Sequence, residues 1–174
     1  MCILGRKIIW FMAISAQRKE TAIECYQFAI GAIKSAISNA PSLIPIVLHA
    51  EAFRHLPEKL SRLSTNGVHF VQHNLSFQDR IVKYGEKDNP WLYPHFLFNL
   101  GAYYRLDIPY VIDRVIASLA LSNSSQVDTD YVLYTDTDIL FLKDFNECSL
   151  PKPSVMMLGG EDVKGKMANT GIRC

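Results

Sequence analysis

Two aspartates spaced two apart end the apolar run Tyr131-Val132-Leu133-Tyr134-Thr135-Asp136-Thr137-Asp138. In an extended backbone, residues i and i+2 lie on the same side, about 6.5 Å apart along the chain. Carboxylates held that close repel each other unless one is protonated or a cation sits between them. At a strand end beside a cleft the expected ion is a hard divalent one. Mn²⁺ and Mg²⁺ favour carboxylate oxygens and commonly bridge protein acids to a diphosphate. Asp136 and Asp138 are therefore the predicted metal ligands. The same tripeptide, Asp128-Thr129-Asp130, stands ahead of the run. Ligands of open α/β sheets bind beyond the carboxyl ends of the strands. The first copy is thus expected in a solvated loop at the wrong end of the strand, and the second at the site. The alternative for the second copy is a turn whose acids cap backbone N–H groups. So strictly apolar a strand before it weighs against that.

The elements that must position these acids follow from hydrophobic periodicity. Lys7 to Ser15 reads as a buried strand, because it is a short β-former-rich run bounded by polar residues. Thr21 to Ser38 reads as a helix with Ile23, Phe28, Ile30, Ile33 and Ile37 on its apolar face and Thr21/Glu24 as a capping box. Ser42 to His49 is a second strand, with Pro45 pointing to an edge or a bulge. Glu51 to Leu63 is a helix broken or restarted at Pro57, Asn66-Gly67 a turn and Val68 to His73 a third strand. Phe77 to Pro94 reads as loop with some helix. Tyr93 to Leu106 and Tyr110 to Leu121 are predicted as two helices separated at Ile108-Pro109, since proline ends helices. Tyr131 to Thr135 and Val155 to Leu158 complete the strands. Strand alternating with helix implies crossover connections and a mostly parallel central sheet flanked by helices, an α/β fold. The absence of a clear linker predicts one domain over residues 1–174.

Composition narrows the function. The chain has 174 residues, 49% hydrophobic and 20% charged, which excludes a disordered chain. The net charge of +1 argues against a nucleic-acid partner and gives no polybasic membrane signal. The apolar run Ile8–Ile14 is about a third of the ~20 residues a spanning helix needs. It reads as a strand rather than a signal peptide, because its basic region is weak and no A-x-A site follows. Cys2, Cys25, Cys148 and Cys174 form no zinc-like or redox pair. His69 and His73 have the i, i+4 spacing that suits a metal on a helix, but on a strand they lie roughly 13 Å apart and read as separate side chains. Gly159-Gly160 reads equally as a plain turn or as a close backbone approach to a ligand. Lys164, Lys166 and Arg173 read as a solvated basic face, and Trp10, Trp91, Phe96 and Tyr103 as packing.

The segment YVLYTDTDILF resembles the D-x-D segment of the Rossmann-like GT-A-fold nucleotide-diphospho-sugar transferases, especially the family-8-like group. Tyr104-Arg105-Leu106 upstream is similar to that group's Arg-Leu segment, and Asn169-Thr170-Gly171 downstream resembles its Asn-small-Gly segment. The resemblance spans most of the chain in element order and rests on about a dozen motif residues, as short recognition motifs do. It implies a glycosyltransferase moving a hexose from a nucleotide-sugar donor, such as a UDP-sugar, to a glycan, protein or small-molecule acceptor. Asp138 would be the main metal ligand, with Asp136 touching both the metal and the ribose. Arg105 would bind the sugar or its phosphate, and Asn169 and Thr170 would line the sugar pocket. Thr137 would lie in the donor site, and Ala13 and Ser15 would sit against the base. Ser15-Ala16-Gln17 stands where the group usually has an Asp or Asn. The group's pattern continues beyond Gly171 into an acceptor-binding half with a late metal-binding His, so the chain reads as C-terminally truncated. The resemblance favours the Golgi or ER lumen, with the cytoplasm as the alternative.

Two other functions compete. A haloacid-dehalogenase-like phosphatase also follows an apolar strand with D-x-D, and there Asp136 would be a nucleophile. Its motif needs Thr or Val two places after the second acid, where this chain has Leu140, and it normally opens the chain. The other is a non-catalytic remnant that binds nucleotide-sugar or nothing.

Overall fold

The computed structural model describes residues 7–14, 19–50, 58–80, 83, 100–123, 127–144, 158–161 and 168–173. In chain order they form β1 (Lys7–Ile14), α1 (Lys19–Asn39), β2 (Leu43–His49), α2 (Glu58–Ser61) with a 3₁₀ turn over Arg62–Asn66, β3 (His69–Gln72), α3 (Leu100–Asn123), β4 (Val127–Tyr134), β5 (Leu158–Glu161) and β6 (Ala168–Arg173). Four of the strands make an all-parallel sheet in the order β3-β2-β1-β4. Beyond β4 the sheet continues antiparallel through β6 and then β5. The α/β class and the parallel sheet expected from the sequence are both present.

β1 is the axis of this sheet, and its composition explains why. Every residue after Lys7 is buried. That demands cover on both faces, as parallel sheets generally have. On one face Ile8, Trp10, Met12 and Ile14 pack with Tyr26, Ala29, Ala32, Ile33 and Ala36 of α1. On the other, Ile9, Phe11 and Ala13 pack with Tyr104, Ile108, Val111, Val115 and Leu119 of α3. Each large side chain buried in this way stabilises the fold by about 1.5–3 kcal/mol. Among the described residues no helix is long and apolar enough to cross a membrane.

Several elements differ from the sequence reading. α1 begins at Lys19, so Thr21 lies inside the helix instead of capping it. The face that α1 turns to the sheet is an alanine stripe around Ile33, while Phe28 and Ile37 are exposed. Small side chains there let helix and sheet approach closely. Pro45 is in neither an edge strand nor a bulge. It pairs with Trp10 in β2, which lies between β1 and β3. The Ile8 N–H donates to the Ser42 carbonyl and the His73 N–H to the His49 carbonyl, so odd-numbered residues of β2 turn their backbone towards β3. Pairing with β3 starts only at Ile46, so the donor that Pro45 lacks falls where β3 does not reach.

The two predicted helices around Pro109 are one, α3. Asp128-Thr129-Asp130 is in β4 and not in a loop; the pairing with β1 jumps from Ile8↔Asp128 to Ile9↔Val132, a register shift that leaves residues 129–131 without partners on β1. Gly159-Gly160 belongs to β5 and is not a turn, and Asn169-Thr170-Gly171 belongs to β6, a strand the sequence reading does not anticipate. The Asn66-Gly67 turn is present, with Gly67 at φ 79°, in the left-handed region that glycine enters without strain. The Glu51–Pro57 start of the second helix, most of Phe77–Pro94, Trp91 and Phe96 lie outside the described residues.

Candidate functional site

β2 and β3 lie to one side of β1 and β4 to the other, so the order of the sheet reverses between β1 and β4. In open α/β sheets the crevice at such a reversal, beyond the carboxyl ends of the strands, is where ligands bind. β4 ends at Tyr134, and Asp136 and Asp138 follow it directly. Phe11 is the partner of Tyr134, so β1 continues three residues further, through Ala13 to Ile14, beside the segment that carries the two acids. Asp136 and Asp138 are exposed and Thr137 is partly so. Ala13 is buried among the core residues on the α3 face, and Ser15 lies outside the described residues.

The acid-bearing segment is held at both ends, and Trp10 takes part in each hold. Before it, the Thr135 N–H donates to the Phe11 carbonyl at 3.1 Å, and the Trp10 indole N–H donates to Thr135 Oγ1 at 2.9 Å. After it, Phe141 is buried and packs edge-on against Trp10, with ring centroids 4.7 Å apart. The Phe141 N–H donates to Ser35 Oγ at 2.9 Å, and Asn39 Nδ2 donates to the Phe141 carbonyl at 2.8 Å. Ile139 packs against the same core, while Leu140 and Leu142 face outward. Beyond them Ser42 binds Asp144 through its N–H and its hydroxyl. The two carboxylates are thus carried on a short span tied to the sheet on one side and to α1 on the other.

α3 brings Arg105 to the same place. The Asp136 carboxyl is pushed up, first by desolvation, then by the neighbouring Asp138 charge, and Arg105 opposes both. The same guanidinium acts on Tyr134, whose phenol is raised chiefly by burial. Tyr134 Oη donates to the Gly101 carbonyl at 3.2 Å, tying the strand that delivers the acids to the first turn of α3. The sequence readings for Arg105, Asp136 and Asp138 therefore converge at one end of the sheet. Asn169 and Thr170 approach that end through the backbone: Arg173 of β6 lies opposite Leu133, and the antiparallel course carries the start of β6 past the end of β4.

The chemistry of this donor set suits a hard divalent cation. The Asp138 charge adds to the cost of ionising Asp136, and the Arg105 cation opposes it. Among the described residues no group of three or more His, Cys, Asp or Glu is assembled. Asp136 and Asp138 would supply carboxylate oxygens to such an ion, with phosphate oxygens and water able to take further positions as is usual for Mg²⁺.

One polar cluster at this end went unread in the sequence. Asp107 is fully buried in α3. Its Oδ2 meets His73 Nε2 at 2.8 Å and the Ser76 N–H at 2.6 Å, and its Oδ1 accepts from Ser76 Oγ at 2.7 Å. Tyr104, whose phenol burial raises to about 12, donates from Oη to the His73 carbonyl at 2.9 Å. A signal for Asp107 did exist, since it falls between Tyr104, Ile108 and Val111 on the apolar stripe, where an acid needs partners. His73 and His69 are separate, as expected: His69 is exposed at the start of β3. His49, at the end of β2, is buried, which pulls its pKa down, and its Nδ1 has no hydrogen-bond partner among the described residues.

No protein-family model, curated protein or solved structure matches this chain.

Proposed function

We propose that the chain is the nucleotide-sugar-binding domain of a GT-A-like, metal-dependent glycosyltransferase that takes a nucleoside-diphosphate sugar, such as a UDP-sugar, as donor. The observation that carries this reading is the convergence of Asp136, Asp138 and Arg105 at the reversal point of a parallel sheet. Asp136 and Asp138 would hold Mn²⁺ or Mg²⁺, which when bound supplies Lewis-acid stabilisation of the departing diphosphate. Arg105 adds a cation near enough to act on Asp136, and it would pair with phosphate oxygens or sugar hydroxyls. Asn169 and Thr170 are assigned to the sugar, and the ends of β1 around Ala13 and Ser15 to the base. The span from Thr135 to Phe141 keeps the carboxylates in place before the ligand arrives, so little ordering remains to be done on binding.

The phosphatase alternative fits less well, because its nucleophile normally opens the chain, whereas Asp136 follows the fourth strand. Calorimetric titration with UDP separates the readings. UDP binding that requires Mn²⁺ and disappears with a chelator is the expected result. Equal binding in the presence of EDTA, or trapping of beryllofluoride at Asp136, overturns the proposal.

A further inference from the structure

We propose that Asp107 is a positioning residue for Arg105, setting the guanidinium against the acid pair through its hydrogen bonds to Ser76 and His73; the inference rests on the function proposed above. Arg105 and Asp107 are two residues apart on α3 and so project about 200° apart around the helix. Asp107 therefore acts on Arg105 through the helix backbone. Three features make that backbone depend on its anchors.

The first is Pro109, which lies inside α3. A proline brings no N–H to the carbonyl four residues before it, here that of Arg105, and its ring crowds that carbonyl. The helix's own ladder is thus interrupted at the residue whose placement matters most. Next is the bracketing of that turn. Before Arg105, Tyr134 Oη holds the Gly101 carbonyl. After it, Asp107 is held by Ser76 and His73. One anchor comes from the strand that delivers Asp136, and the other from the segment leaving β3, so the turn spans the mouth of the sheet between them. The third is the strength of the second anchor. Asp107 accepts three hydrogen bonds while fully buried, and a buried carboxylate bonded in this way has no competing solvated geometry to relax into. Tyr104, directly before Arg105 and three residues before Asp107, reinforces it by donating to the His73 carbonyl.

A double-mutant cycle tests this, with UDP in saturating Mn²⁺ as the probe and calorimetry as the readout. Asp107→Asn is expected to weaken UDP binding on the order of tenfold when Arg105 is present, and by less than about twofold in an Arg105→Ala background. Mn²⁺ binding alone, followed by paramagnetic relaxation, is expected to be unchanged, because the two carboxylates are not routed through α3. Equal losses in both backgrounds would mean that Asp107 only supports the fold, and the inference is overturned while the functional reading stands. If Asp107→Asn does not fold, Ser76→Ala takes its place; it removes one of the three bonds at an exposed residue, and the same pattern is expected at smaller size. A parent chain that binds no UDP with Mn²⁺ overturns the functional reading and this one together.

Discussion

Asp128-Thr129-Asp130 and Asp136-Thr137-Asp138 are the same tripeptide at opposite ends of one strand. The first enters β4 at a shift of register against β1, on the side where strands begin. The second leaves β4 at the reversal of the sheet, within the field of Arg105 and tied down by Thr135 and Phe141. Identical local chemistry thus meets two different surroundings. What distinguishes them is the end of the sheet, the helix that crosses it and the fixing of the chain on either side.

The largest expected contrast sets the two copies directly against each other. Asp138→Ala should weaken Mn²⁺-dependent UDP binding by more than about a hundredfold, through loss of a metal carboxylate. Asp130→Ala should change it by less than about twofold, because Asp130 stands at the opposite end of β4 from the proposed site. Equal losses in calorimetry would erase the distinction. Trp10→Phe addresses the fixing of the second copy, since it keeps a ring for Phe141 to pack on but removes the donor to Thr135. A stability loss of about 1–2 kcal/mol in urea denaturation is expected, with a weaker grip on UDP. Unchanged binding would show that the span does not need this hold.

The smallest effect concerns charge. The folded-state pKa of Asp136 is raised, so ionising it works against the folded state, and its cost grows as pH rises from the ordinary carboxylate range through the raised value. Asp136→Asn should therefore raise the Tm of the metal-free protein by about 2 °C near pH 7, the size expected of a small relief in a domain of this length. The gain should vanish near pH 3, where the acid is already protonated. A lower Tm at neutral pH would mean that Asp136 stabilises the fold.

How far such features can be read in a sequence depends on how local their cause is. The second Asp-Thr-Asp was legible because the apolar residues before it announce a buried strand. The buried parallel core was legible in the uniform run Ile8–Ile14. β6 was not, because Ala-Asn-Thr-Gly-Ile-Arg contains residues that strands disfavour, and pairing with β4 and β5 overrides that preference. α3 was divided at Pro109 for a sound local reason, yet contacts far away in sequence, from Tyr134, His73 and Ser76, hold the turn around the proline. The inner face of α1 is legible at Ile30 and Ile33 but not at Ala29, Ala32 and Ala36, because residue hydrophobicity favours Phe28 and Ile37, whereas packing on the sheet takes the small side chains.

Trp10 has an optical consequence. The chain contains only two tryptophans, Trp10 and Trp91. The indole of Trp10 touches both ends of the Thr135–Phe141 span from within the protein, so any shift of that span must disturb its hydrogen bond or its edge-on neighbour. In a Trp91→Phe background the emission of this one fluorophore becomes a built-in gauge of occupancy, read without attaching a dye.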